Sequence, residues 1–226
     1  MFTTSLSTPV TTCTTAGRVT RSLLGYGVIA GPFYVIVSLA QALTRPGFDL
    51  TRHEWSLLAN GALGWIQIAN FVLTGLMLVG AAVGFRRALR PTTGSAWAPR
   101  LLAGYGLSLV AAGILRADPA DGFPLGTPPG PATVSWHGLG HLAAGTIGFA
   151  CLVATCFVLA RRLRADGRSG LAMWSQVTGI GFLAGFVGIA AGSGRVGANL
   201  AFTAAVIAAW VWLSALSAHL YRTVLN

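Results

Sequence analysis

The 226-residue chain has no lysine and only five acids, Asp49, Glu54, Asp118, Asp121 and Asp166. Charged residues make up 9% of it, against roughly a quarter in soluble domains. A soluble enzyme needs that charge on its surface, so the shortage excludes an ordinary soluble fold. Cysteine is scarce as well. Cys13, Cys151 and Cys156 supply neither a disulfide framework nor a zinc-binding spacing, and the last two lie in an apolar run as small core residues. There is no phosphate loop, dinucleotide fingerprint or serine elbow. No aspartate-rich pair of the kind that holds a magnesium diphosphate is present either. No cofactor is therefore expected.

What fills the chain instead is apolar. Hydrophobic residues account for 54% and the mean hydropathy is +0.69, values of an all-α, multi-span membrane protein. The net charge of +10 resembles a nucleic-acid signal, but its distribution argues otherwise. The arginines stand in short clusters between apolar runs, where they orient helices and meet anionic lipid. Membrane lipid is an expected partner and nucleic acid is not.

Residues 1–17 are rich in threonine and serine and read as a disordered tail; residues 18–226 read as one six-helix transmembrane domain. The spans fall at about Ser22–Leu43, Gly64–Phe85, Leu101–Leu115, His137–Ala160, Leu171–Ala191 and Asn199–Leu220. Ala40-Gln41-Ala42 resembles a signal-peptidase site, but the first run has the length of a span and is read as an uncleaved helix. Arg18, Arg21, Arg86, Arg87, Arg90, Arg100, Arg161, Arg162, Arg164, Arg168 and Arg222 lie on one side of this arrangement. Arg45, Arg52, Arg116 and Arg195 lie on the other. The positive-inside rule then places both termini in the cytoplasm. Asp49, His53, Glu54, Asp118, Asp121, His137 and His141 fall together on the outer side.

Three motifs carry a family resemblance. Gly64-Trp65-Ile66-Gln67-Ile68-Ala69-Asn70-Phe71, the segment from Asp118-Pro119 to Gly122-Phe123-Pro124, and His137-Gly138-Leu139-Gly140-His141 occur in this order. Together they resemble the domain-of-unknown-function 998 family, small multi-span membrane proteins of bacteria and archaea. The resemblance covers nearly everything after the tail. It implies the fold class and a multi-pass place in a bacterial plasma membrane, and no activity.

Polar chemistry concentrates between Arg116 and His141, where proline and glycine forbid a regular helix. Ionisable groups at membrane depth are costly to keep and mark function by default. Glu54, Asp118, Asp121 and His137 are therefore the candidate catalytic residues. A carboxyl in an apolar pocket is held protonated and can act as a general acid. The plainer reading has Asp118 capping a helix or pairing with Arg116, and Asp121 opening a turn before Gly122.

His137 and His141 stand one helical turn apart. With Asp118 or Glu54 they resemble the His-x-x-x-His of membrane ceramidase-type zinc hydrolases, although the further ligands of that superfamily are not evident. No metal site is assigned, and a metal-dependent membrane hydrolase stays an alternative. Phe33, Tyr34, Trp55, Trp65, Phe123 and Trp136, with Gln67, Asn70 and His141, are the candidate substrate-binding residues. Aromatic faces stabilise cations, so an acid beside a water-poor aromatic pocket suits proton-initiated cyclisation of an isoprenoid. Membrane-bound terpene cyclases are similar in size, span number and reliance on acids, an analogy of architecture. The competing class is a non-catalytic lipid-binding or small transport protein. Gly80-x-x-x-Gly84 and Gly181-x-x-x-Gly185 allow close helix approach, within the bundle or across a homodimer.

Overall fold

The computed structural model describes residues 15–89, 96–191 and 195–224. Residues 1–14 of the expected tail, Cys13, Arg90 and the turn at residues 192–194 lie outside the described residues. Six α-helices follow in order: α1 Thr15–Thr44, α2 Gly64–Ala88, α3 Trp97–Ile114, α4 Trp136–Ala165, α5 Ser169–Ala191 and α6 Val196–Thr223. A short 3₁₀ helix, Trp55–Ala59, sits between α1 and α2. Among the described residues there is no strand.

Five of the helices are long and apolar enough to cross a membrane. The third is not, which departs from the expectation of six such spans. At 18 residues it measures roughly 27 Å, and Trp97, Pro99 and Arg100 occupy its first turn. Most of the helices run past the apolar windows into the arginine clusters. Hydropathy ends at a charge, but helical hydrogen bonding does not, and arginine is a good helix former. α1 starts at Thr15, three residues inside the boundary read from the sequence.

Each helix packs against its neighbours in sequence, and α6 returns to α1, so the six close into a ring. Close contacts fix the directions. A Cβ on Gly106 would lie 2.7 Å from the carbonyl oxygen of Gly75, and one on Gly113 3.2 Å from that of Ile68. α2 and α3 are thus antiparallel with their backbones touching, which only glycine permits at this separation. Gly80 and Gly84 face Tyr26 and Leu24 of α1, and Gly185 faces Ala205 of α6, whereas Gly181 meets nothing. Gly80, Gly84 and Gly185 thus serve packing inside the ring.

The α1–α2 seam carries a buried polar ladder. Gln41 Nε2 donates to Gln67 Oε1 at 2.8 Å, Asn70 Nδ2 donates to Ser38 Oγ at 3.1 Å and to the Tyr34 carbonyl at 3.2 Å, and Thr74 donates to Asn70 Oδ1. Amides buried away from water must find such partners. At one end of the ring lie the α1–α2 and α3–α4 loops with four of the acids; at the other lie most of the arginines.

Candidate functional site

The two long loops fold over the acidic end as one cap. His53 is fully buried. Its Nδ1 accepts from the Asp49 amide at 2.9 Å, which leaves Nε2–H to donate to the Asp121 carbonyl at 3.1 Å. The ring packs against both Phe48 and Phe123, with centroids 5.2 and 5.6 Å away, and those two rings meet edge to face. Arg45 bridges the same elements, donating to the carbonyls of Leu58 and Asn60 with its guanidinium over the Phe123 ring. Asn60 Nδ2 reaches the Ala117 carbonyl, and Asn199 at the head of α6 donates to the carbonyls of Leu50 and His53. The cap is thereby tied to itself and to the ring.

Beneath the cap is a cavity of about 650 Å³, lined by residues of all six helices and both loops. Glu54, Trp55, Asp118, Tyr34 and His141 are in its wall. So are Phe71, Tyr105, Phe149, Phe186, Phe202 and Trp210. Phe149, Phe186 and Phe202 stack mutually at 5.0 to 6.3 Å, and Tyr34 lies 5.1 Å from Trp210.

The two acids in the wall differ sharply in environment. Asp118 is used by the fold. Its carboxylate accepts from the Ser135 amide at 2.8 Å and from Ser135 Oγ at 2.5 Å. Ser135 caps α4 in turn, its Oγ accepting from the Gly138 amide. His137 Nδ1 stands 3.6 Å from the same carboxylate. Burial alone pushes the Asp118 carboxyl up, but the Ser135 bonds and the charges of His137 and His141 outweigh it and hold it below the usual aspartate range.

Glu54 occupies the N-cap position of the 3₁₀ helix, yet its side chain makes no capping bond. Among the described residues it takes part in no ion pair. Burial pushes its carboxyl above the usual glutamate range, and the nearby charge of Asp121 adds to this against the opposing pull of its own amide and His53. A carboxyl outside any ion pair, with its neutral form favoured by burial, in a wall rich in aromatic rings is what this arrangement offers.

His141 is buried, with Nδ1 at 3.0 and 2.8 Å from the carbonyls of Ala112 and Leu115. In the neutral ring that assigns the proton to Nδ1 and leaves Nε2 as an acceptor. Among the described residues, no three ligating side chains converge as a metal site would need.

The remaining candidates lie elsewhere. His137 is outside the lining, bonded to Ser135 Oγ and near the Arg116 carbonyl. Asp121 sits in the cap with φ 51°, and Phe123 is buried beneath it. Gln67 and Asn70 turn into the α1–α2 ladder. Trp65 and Trp136 are exposed at 64% and 77%, as rings of a membrane-interface belt are; Phe33 is half-buried on α1. Ser135, Arg45, His53 and Asn199 were not among the sequence candidates. Only Ser135 had a signal, a capping residue directly before an apolar helix.

The family model described as "Protein of unknown function (DUF998)" matches residues 28–219. The chain belongs to this family. The match begins in α1 and ends in α6, so this DUF998 protein carries the whole cavity and cap inside the matched region. No curated protein and no solved structure matches it.

Proposed function

We propose that this DUF998 protein is a membrane enzyme that takes an uncharged lipophilic substrate into the aromatic cavity and protonates it from Glu54. In its sharpest form the reaction is proton-initiated cyclisation of an isoprenoid or prenylated compound. The setting is the bacterial plasma membrane, with six spans and both termini in the cytoplasm. One observation carries the reading: a carboxyl outside any ion pair among the described residues, raised by burial, in the wall of a cavity that also holds eight Phe, Tyr and Trp rings. Its volume falls within the range of small-molecule sites, roughly 300–1,000 Å³.

The chemistry balances without a cofactor. The Glu54 proton forms a C–H bond with the electrons of a substrate double bond, leaving a tertiary carbocation and a carboxylate. A second double bond attacks that cation and closes a ring. A C–H bond then breaks, its electrons form the product alkene, and its proton returns to Glu54, directly or through His141 Nε2. Ring faces of Tyr34, Trp55 and Trp210 stabilise the cation, and exclusion of water prevents its quenching. A raised pKa makes Glu54 a weaker acid but keeps it loaded, and entry of an apolar substrate desolvates it further. Asp118 supports the loop and donates nothing.

The test uses the protein in lipid nanodiscs in deuterium oxide, supplied with farnesyl- and geranylgeranyl-substituted phenols. A cyclised product with one deuterium on carbon is expected. Glu54→Gln should lose about 10² or more in rate, and Asp118→Asn should lose less. Full turnover by both amides refutes the assignment of the acid. Binding without conversion would make the protein a lipid-binding one.

A further inference from the structure

A second cavity, about 810 Å³, opens at the opposite end of the ring, where α2, α4 and α6 finish and α1 and α5 begin. Its wall holds Arg87, Arg162, Arg168 and His219. The acid there, Asp166, is engaged by Arg162 at 2.8 Å. The other four acids of the chain lie in the loops at the far end, so the described chain has no further carboxylate to offer here. Arg87 is held in place by Nε donating to Thr20 Oγ1 at 3.1 Å, which uses one of its five N–H groups. Among the described residues, the Arg168 guanidinium has no hydrogen-bond or ion-pair partner.

Cations at helix C-termini complement the helix dipole, and this suffices for Arg86, Arg161 and Arg164, which lie outside the cavity lining. It does not suffice for Arg168. That residue precedes α5, its carbonyl accepting from the Ala172 amide at 3.0 Å, so its charge adds to the positive end of a dipole. Such a placement favours an anion between them. Besides these and the hydroxyls of Thr20 and Thr223, the wall carries an apolar strip of Leu159, Leu163, Leu216 and Leu220. A charged head over an alkyl stem matches that division.

We propose that this cavity binds a phosphate-bearing anion, supplied in the membrane by the headgroup of an anionic phospholipid. The site is separate from the aromatic cavity and does not depend on the reaction assigned there.

The experiment is native mass spectrometry of the full chain released from nanodiscs of phosphatidylglycerol and phosphatidylcholine in equal parts. Retention of the anionic lipid should exceed that of the zwitterionic one by about tenfold or more. The double variant Arg87→Gln/Arg168→Gln should abolish the preference, and Arg87→Lys/Arg168→Lys should keep part of it. Arg86→Gln/Arg161→Gln removes the same charge at the same end but outside the cavity, and should keep the preference. All four positions are exposed, and unchanged melting temperatures verify the fold. Displacement of lipid by glycerol phosphate alone would identify a soluble phosphate compound as the source, with the site intact. No preference in the parent protein, or an equal loss in the control pair, overturns the proposal.

Discussion

The seat of Asp118 yields a prediction with opposite signs in two backgrounds. Asp118→Ala removes two hydrogen bonds to an ionised carboxylate, from Ser135 N at 2.8 Å and Ser135 Oγ at 2.5 Å. Bonds to a charged group contribute about 1.5–3 kcal/mol each. Because water reaching the loop recovers part of this, the expected destabilisation is about 2–4 kcal/mol. Gly138→Ala should destabilise as well, because its new Cβ would overlap the Asp118 carboxyl. With the carboxyl gone the clash is gone. Alanine is then the better helix former by about 1 kcal/mol, so Gly138→Ala should be neutral or stabilising in the Asp118→Ala background. The coupling energy should reach about 2 kcal/mol.

The assay is denaturant unfolding in a fixed detergent, followed by tryptophan fluorescence, on both single variants and the double. Additive effects would refute the reasoning, since the two residues would then not share one space. The pH dependence has a definite sign. The folded Asp118 carboxyl is held below its ordinary value, so its stabilisation is present above roughly pH 3.9, the unfolded value. It is lost as pH falls through the lower folded value.

Three further outcomes are expected. Glu54 has the opposite sign: its raised pKa means the folded state binds its proton more tightly, so its charge costs stability as pH rises. Glu54→Gln should therefore be more stable than the parent at neutral pH and equal to it below the ordinary glutamate range; a loss of stability at neutral pH would remove the argument. Cys151 and Cys156 are both free and five positions apart on α4, so they face different directions and form no disulfide; changing both to alanine should leave folded yield and activity nearly unchanged. A reporter fused after residue 226 should be active only in its cytoplasmic form, and a periplasmic signal would overturn the arrangement with both termini inside.

The helices were legible in the sequence because arginine clusters and proline-glycine loops punctuate apolar runs. Their faces were not. α2 and α5 have few polar residues and no amphipathic stripe, and in a membrane no water-facing side exists to reveal which residues point inward. Tyr105, Phe149, Phe186, Phe202 and Trp210 therefore passed as span residues, while Trp65 and Trp136, closer to the acids in sequence, turned outward. Gln67 and Asn70 stood out as polar, but a buried amide in a span is as well used between two helices as on a substrate. Asp118 and Glu54 were equal candidates on sequence. Only the Ser135 bonds separate them, because a loop that returns after seventeen residues leaves no local pattern.

The central claim is that the Glu54 carboxyl is held above its ordinary value while that of Asp118 is held below it, and infrared spectroscopy reads this directly. Spectra of the protein in nanodiscs, titrated with pH, should contain a protonated-carboxyl band that vanishes in Glu54→Gln and persists in Asp118→Asn. Its midpoint should lie above roughly 4.3, the ordinary glutamate value, and should rise further when a lipophilic substrate fills the cavity. A midpoint at or below that value, or a band lost in Asp118→Asn and kept in Glu54→Gln, would contradict the assignment of the acid.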